Sequence, residues 1–119
     1  MIERSVSPRL ADMIEAIERI AHVLDRVSLA AFEQDWEKRW LVERGIEVIS
    51  EASRHLGDEM KDRHPMIPWR KVADVGNFLR HAYDQVAPDV LWKLAQHDLG
   101  ALESVCREEL AAVVRREGW

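Results

Sequence analysis

Asn77, Arg80, His81 and Tyr83 lie within seven consecutive positions of this chain. An imidazole titrates near neutral pH and can act as general base or acid. A guanidinium presents a fixed fork of donors suited to phosphoryl oxygens. Asn77 and Arg80 are three residues apart, and Asn77 and His81 are four apart. If the helix that carries Asn77 continues through His81, the three share one face. Tyr83 follows two residues later with its hydroxyl available. Together these groups could act on a phosphodiester. The plain alternative is a histidine at a helix C-terminus that makes only a favourable contact with the helix dipole.

The other candidates carry less. The remaining histidines are His22, His55, His64 and His97, and no pair has the HxxxH spacing that puts two metal ligands on one helical face. Glu51 and His55, four apart, read as a surface pair. Cys106 is the only cysteine, which excludes an internal disulfide and a cysteine-based zinc site. Its neighbours Leu102, Val105 and Leu110 mark it as a small buried hydrophobe. There is no Gly-rich phosphate loop and no GxSxG elbow. No metal or cofactor is expected. Arg70 and Lys71 could contact phosphate, although by themselves they read as a solvated helix face, as do Arg107, Arg115 and Arg116.

The chain has 119 residues, enough for one core, and is expected to be one domain over 1–119. Hydrophobic residues make up 47%, a globular share that argues against disorder. No apolar run is long enough to span a bilayer. Met1 to Arg9 is polar and lacks the apolar core of a secretory signal, so a cytoplasmic location is expected. A net charge of -5 argues against a protein that coats nucleic acid, since phosphate binding is largely electrostatic, but leaves room for a local basic cleft. Five tryptophans are many for so short a chain to bury, and some are expected at a subunit interface.

The elements that must hold the motif are all helical. Ser7 reads as an N-cap and Pro8 as the first helical position, opening a helix from Pro8 to Val27 with Leu10, Met13, Ile14, Ile17, Ala21 and Leu24 on its apolar stripe. Ser28 caps a short helix over 29–34. Asp35 caps a longer one running to about Leu56, with Trp36, Trp40, Leu41, Ile46, Val48, Ile49 and Ala52 as apolar positions and Gly57 as its stop. Gly45 inside that helix costs about 1 kcal/mol relative to Ala, which a close helix–helix approach would explain. Residues 58–64 can form one more turn. Pro68 opens a helix from Trp69 to about Arg80 with Val72, Val75, Phe78 and Leu79 on its apolar face, followed by a non-regular stretch over 81–87. Pro88 starts another helix, and Asp98 caps the last, which runs to Arg116. No period-2 run of β-branched residues occurs. The fold class is therefore all-α, an up-and-down bundle of four or five helices.

Several segments in this order resemble the HepT-like family of HEPN-superfamily toxins. They are Met66-Ile67-Pro68-Trp69-Arg70, Gly76-Asn77-Phe78-Leu79-Arg80-His81-Ala82-Tyr83, Asp89-Val90-Leu91-Trp92 and Asp98-Leu99. Upstream, residues 14–20 and 43–52 resemble that family's first two helices, so the likeness covers about Arg9 to Val114. It implies a HEPN-type bundle and a homodimer whose two motif segments face one cleft. It implies metal-independent RNA cleavage, and as partner a minimal nucleotidyltransferase antitoxin of the MntA type. It also implies that the antitoxin can silence the toxin by adding AMP to the tyrosine two residues after the motif histidine, here Tyr83.

One departure stands out. The family motif places an arginine four to six residues before the histidine. The usual position is Gly76 here, and neither Val75 nor Asp74 is arginine. Asn77 keeps the asparagine that often follows that arginine. Three explanations compete: Arg80 or Arg70 reaches the same phosphate, the scaffold is catalytically weakened yet still binds its partner, or the arginine was lost under selection against an active toxin. The coherent run Gly-Asn-Phe-Leu-Arg-His favours a natural variant with Arg80 in the arginine's role. The expected mechanism then gives His81 the proton transfer, Arg80 the phosphoryl charge and Asn77 the orientation of either. The alternative function is a binding module that recruits a nucleotidyltransferase without cutting RNA.

Overall fold

The computed structural model describes residues 6–82 and 88–116, and for 80–82 it describes the backbone alone. Among the described residues every regular element is a helix: α1 (Val6–Leu24), α2 (Leu29–Glu33), α3 (Trp36–Ser53), α4 (Asp58–Asp62), α5 (Trp69–Ala82), α6 (Pro88–His97) and α7 (Leu99–Arg116). Two of the seven, α2 and α4, are five-residue turns. The long helices make the all-α bundle expected from the sequence.

α1 is central, packing against α3 and α7, and α3 in turn carries α5. The buried stripe of α1, including Leu10, Met13, Ile17, Ile20 and Leu24, recurs at three- and four-residue steps and faces Val42, Ile46 and Ile49 of α3 and Leu102, Val105 and Cys106 of α7 in one core. α2 contributes one fully buried side chain, Phe32, and α6 contributes Leu91. Cys106 is fully buried in this core, as its apolar neighbours suggested, and burial pushes its thiol up to about 12, with Glu103 adding to the effect.

Local signals set several boundaries. Ser28 Oγ accepts from the Ala31 N–H at 3.1 Å and Asp35 Oδ1 from the Lys38 N–H at 3.1 Å, so both act as the expected N-caps. Gly45 sits where α3 crosses α1. A Cβ placed there would come within 2.8 Å of Ile20 Cγ1 and Cδ1, which is the close approach its presence called for.

Other boundaries depart from expectation. α1 is already helical at Val6, the first described residue, so Ser7 and Pro8 lie within it rather than at its cap. It ends at Leu24, because Arg26 takes a left-handed conformation (φ 59°) that stops the helix short of Val27. α3 stops at Ser53, and Gly57, with φ of -75°, is the N-cap of α4 rather than a left-handed stop for α3. α5 runs two residues beyond Arg80, so His81 is helical; of the expected non-regular stretch, 83–87 lie outside the described residues. Ala21, Trp36, Trp40, Leu41 and Phe78, all assigned to apolar faces, are exposed.

Candidate functional site

α5 is the element that carries the motif, and its two sides are distinct. Gly76 and Leu79 are buried, and Val72 and Val75 half-buried, against the bundle; Arg70, Lys71, Asp74, Asn77 and Phe78 are exposed. Positions 70, 74, 77 and 81 are spaced four, three and four apart and so form one stripe of the helix. Because α5 is helical through Ala82, Asn77 and His81 stand one turn apart on that stripe. Asn77 is exposed and engaged in a polar contact. The side chains of Arg80 and His81, and the whole of Tyr83, lie outside the described residues. Arg70 is eleven residues before His81, about 16 Å along the helix axis.

The start of α5 is held in two ways. Trp69 Nε1 donates to the Lys61 and His64 carbonyls at 3.2 and 3.0 Å, which fastens the first turn of α5 onto the α4 segment. That segment is in turn bound to α7. Glu109, almost fully buried, accepts from Arg63 through two nitrogens at 2.7 and 3.2 Å and pairs with His64 Nε2 at 2.6 Å. The Arg63 hydrogen bond, with a further contribution from His64, holds the Glu109 carboxyl below its usual range although burial opposes this.

The middle of α5 is held by α3. Ser50 is buried, and its hydroxyl donates to the Ala73 carbonyl at 2.8 Å and accepts from the Gly76 N–H at 3.1 Å. Arg54, the C-cap residue of α3 one turn after Ser50, donates to the same carbonyl through Nε at 3.1 Å and through Nη2, while its Nη1 pairs with Glu51. The later residue on α3 thus meets the earlier part of α5, so the two helices run antiparallel. This packing is built around Gly76, the position at which the family resemblance led an arginine to be expected. Ser50 and Arg54 are site-shaping residues that the sequence reading passed over. Their spacing of four on one face of α3 was visible, but their partner was not.

Glu51 and His55 form the expected surface pair, with His55 Nε2 and Glu51 Oε2 3.1 Å apart. Among the described residues no three histidine, cysteine, aspartate or glutamate side chains gather as a metal cluster, and no helix is long and apolar enough to cross a membrane.

The chain is thus a helical bundle in which α5, held by α3 and by the α4 segment, carries positions 77 and 81 one turn apart. The sequence profile described as Ribonuclease HepT-like matches residues 13–109, and the chain belongs to this family. A relative from Thermococcus cleftensis, named "Probable ribonuclease HepT", is 36% identical over 102 residues, covering 86% of this chain and 93% of its own. A relative from Methanocaldococcus jannaschii whose name describes it as an RNase is 27% identical over 99 residues, covering 83% of this chain and 91% of its own. Another so described, from Caldanaerobacter subterraneus, is 25% identical over 103 residues, covering 87% and 92%. No solved structure gave a significant match.

Proposed function

We propose that this chain is a metal-independent endoribonuclease, the toxin of a HEPN/nucleotidyltransferase pair, acting as one HepT-like domain over 1–119. The observation that supports the reading is the continuation of α5 through position 81, one turn after Asn77 on the helix stripe whose described members Arg70, Asp74 and Asn77 are exposed. In this mechanism His81 takes the proton from a ribose 2′-hydroxyl as its oxygen attacks the adjacent phosphorus. The bond from phosphorus to the 5′-oxygen breaks, and a proton passes to that leaving oxygen. The products are a 2′,3′-cyclic phosphate and a free 5′-hydroxyl. Asn77 orients the phosphate or the imidazole.

Arg80 neutralises charge on the non-bridging oxygens. Arg80 lies beside His81 and three residues after Asn77 on the same helix. Arg70 would touch a different phosphate along the strand. Two copies of the chain bring their motif helices to one cleft, and the exposed Trp36, Trp40 and Phe78 supply apolar surface suited to an interface between copies. The protein works in the cytoplasm beside a nucleotidyltransferase of the MntA type. AMP added to Tyr83 places a bulky anion in the cleft and blocks RNA by sterics and repulsion.

The second reading, a binding module for the nucleotidyltransferase, is favoured by one observation: position 76 is a buried glycine packed on Ser50. Expression with and without the neighbouring nucleotidyltransferase separates the two. The toxin reading expects growth arrest with the chain alone, rescue by the partner, and loss of rescue in Tyr83→Phe if silencing works through AMP. Normal growth with the chain alone, at a level where the folded protein accumulates, favours the binding module.

A further inference from the structure

On its way from α3 to α5 the chain passes against α7, where Arg63 and His64 meet Glu109. The stretch over 57–68 holds one short turn of helix, α4, which packs extensively against no other helix. Two of its apolar side chains, Met60 and Ile67, reach the core, while Met66 is exposed. Its polar hold on α7 is concentrated at one point. The Glu109 carboxylate is almost fully buried, and among the described residues its hydrogen-bond partners, Arg63 and His64, both belong to this stretch. A buried carboxylate is costly without partners, so α7 accommodates Glu109 well only while the stretch lies against it. Arg63 also approaches Glu59 at 3.7 Å, but that contact is exposed and internal to the stretch.

The stretch covers something. Met66, Ile67 and Pro68 form one wall of a cavity of about 440 Å³, and Ile46 and Ile49 of α3 and Leu102 of α7, all buried core residues, line it as well. At the α3 end stands Gly57, where an added Cβ would meet nothing. At the α5 end, Trp69 donates to the Lys61 and His64 carbonyls, so a movement of the stretch is felt in the first turn of α5. We propose that residues 57–68 are a strap that opens as a unit, with Glu109 as the catch that holds it shut. Opening uncovers the apolar cavity and frees the start of α5. It leaves the packing of α1 against α3 and α7 in place, because the strap takes no part in it. A segment with few buried apolar contacts opens at lower free energy than the core around it.

The test is amide hydrogen exchange of the intact protein at pH 7, without RNA, in low concentrations of urea. Wild type is compared with Glu109→Gln and with Glu59→Gln. In wild type the amides of the strap should exchange about a hundredfold faster than those in the middle of α1, and with little dependence on urea, since the opening exposes little surface. Glu109→Gln should speed strap exchange by about tenfold or more, and Glu59→Gln by less than about threefold. Should Glu109→Gln not accumulate folded, Arg63→Gln takes its place with the same expectation. Strap amides that exchange at the rate and urea dependence of α1 would show that the strap opens only with the whole bundle. Unchanged strap exchange in Glu109→Gln would show that Glu109 is not the catch. Either result overturns the proposal. The cavity is tested by Ile49→Cys: a thiol reagent should label the new thiol faster than Cys106 of the same molecule, and equal rates would show that opening does not uncover the cavity.

Discussion

Replacing Ser50 with alanine tests the seam between α3 and α5 at its centre. The hydroxyl makes two hydrogen bonds in a buried setting, to the Ala73 carbonyl and from the Gly76 N–H. Each such bond contributes about 1 kcal/mol net, so their loss costs about 2 kcal/mol. Alanine recovers about 0.5 kcal/mol through its higher helix propensity. The expected net loss is about 1.5 kcal/mol, which for a domain of this size lowers the melting temperature by roughly 5–10 °C. Urea unfolding is the assay, with the slope required to stay constant so that the midpoint shift reports stability. Ser104→Ala is the control, since Ser104 is exposed and bonds only back to Gly100 within its own helix. If Ser50→Ala is as stable as Ser104→Ala, the hydroxyl does not bridge the helices.

Three further outcomes follow from the packing and charge of the bundle. Gly45→Ala gains about 1 kcal/mol of helix propensity but forces a methyl against Ile20 in the core, an overpacking cost of about 1–3 kcal/mol, so thermal unfolding should show a loss; a clear gain would show that α1 and α3 are not so close. Glu109→Gln removes the charge that Arg63 and His64 share and should cost about 1–3 kcal/mol at pH 7 in urea unfolding. Since Glu109 is held below the usual carboxylate range, its contribution is full above the unfolded value and disappears as pH falls through the lower folded one. Wild type and Glu109→Gln should therefore converge in acid, and a difference that stayed constant to low pH would contradict the pairing. Cys106, fully buried with its thiol raised to about 12, should resist a thiol reagent at pH 8 in the native protein and react promptly in denaturant; rapid native labelling would contradict its burial.

The parts of this fold legible in the sequence were those set by local chemistry. Ser28 and Asp35 cap helices because a side-chain oxygen three residues before a backbone N–H is a local arrangement. Gly45 announced a close approach because glycine in a helix interior has a cost that must be offset. What the sequence hid depends on other elements. Gly57 fits a helix stop equally well, but the chain turns earlier and uses it to open α4. Arg26 ends α1 with a left-handed conformation that no residue pattern marks. Trp36, Trp40, Leu41 and Phe78 are apolar at helical spacing, yet the core closes without them. In the motif, the spacing of Asn77 and His81 was plain in the sequence, and α5 is helical through position 81, where a non-regular stretch was expected to begin. The clamp of Ser50 and Arg54 was not legible, because contacts between helices depend on a register that neither helix encodes alone.

The most direct test of RNA cleavage through His81 is incubation of purified wild-type protein and His81→Ala with total RNA and tRNA in EDTA, both shown to be folded and of the same oligomeric state. The expected result is cleavage by wild type that survives EDTA, leaves 2′,3′-cyclic phosphate ends and is absent in His81→Ala. Equal cleavage by the two proteins, or none by either, would contradict it.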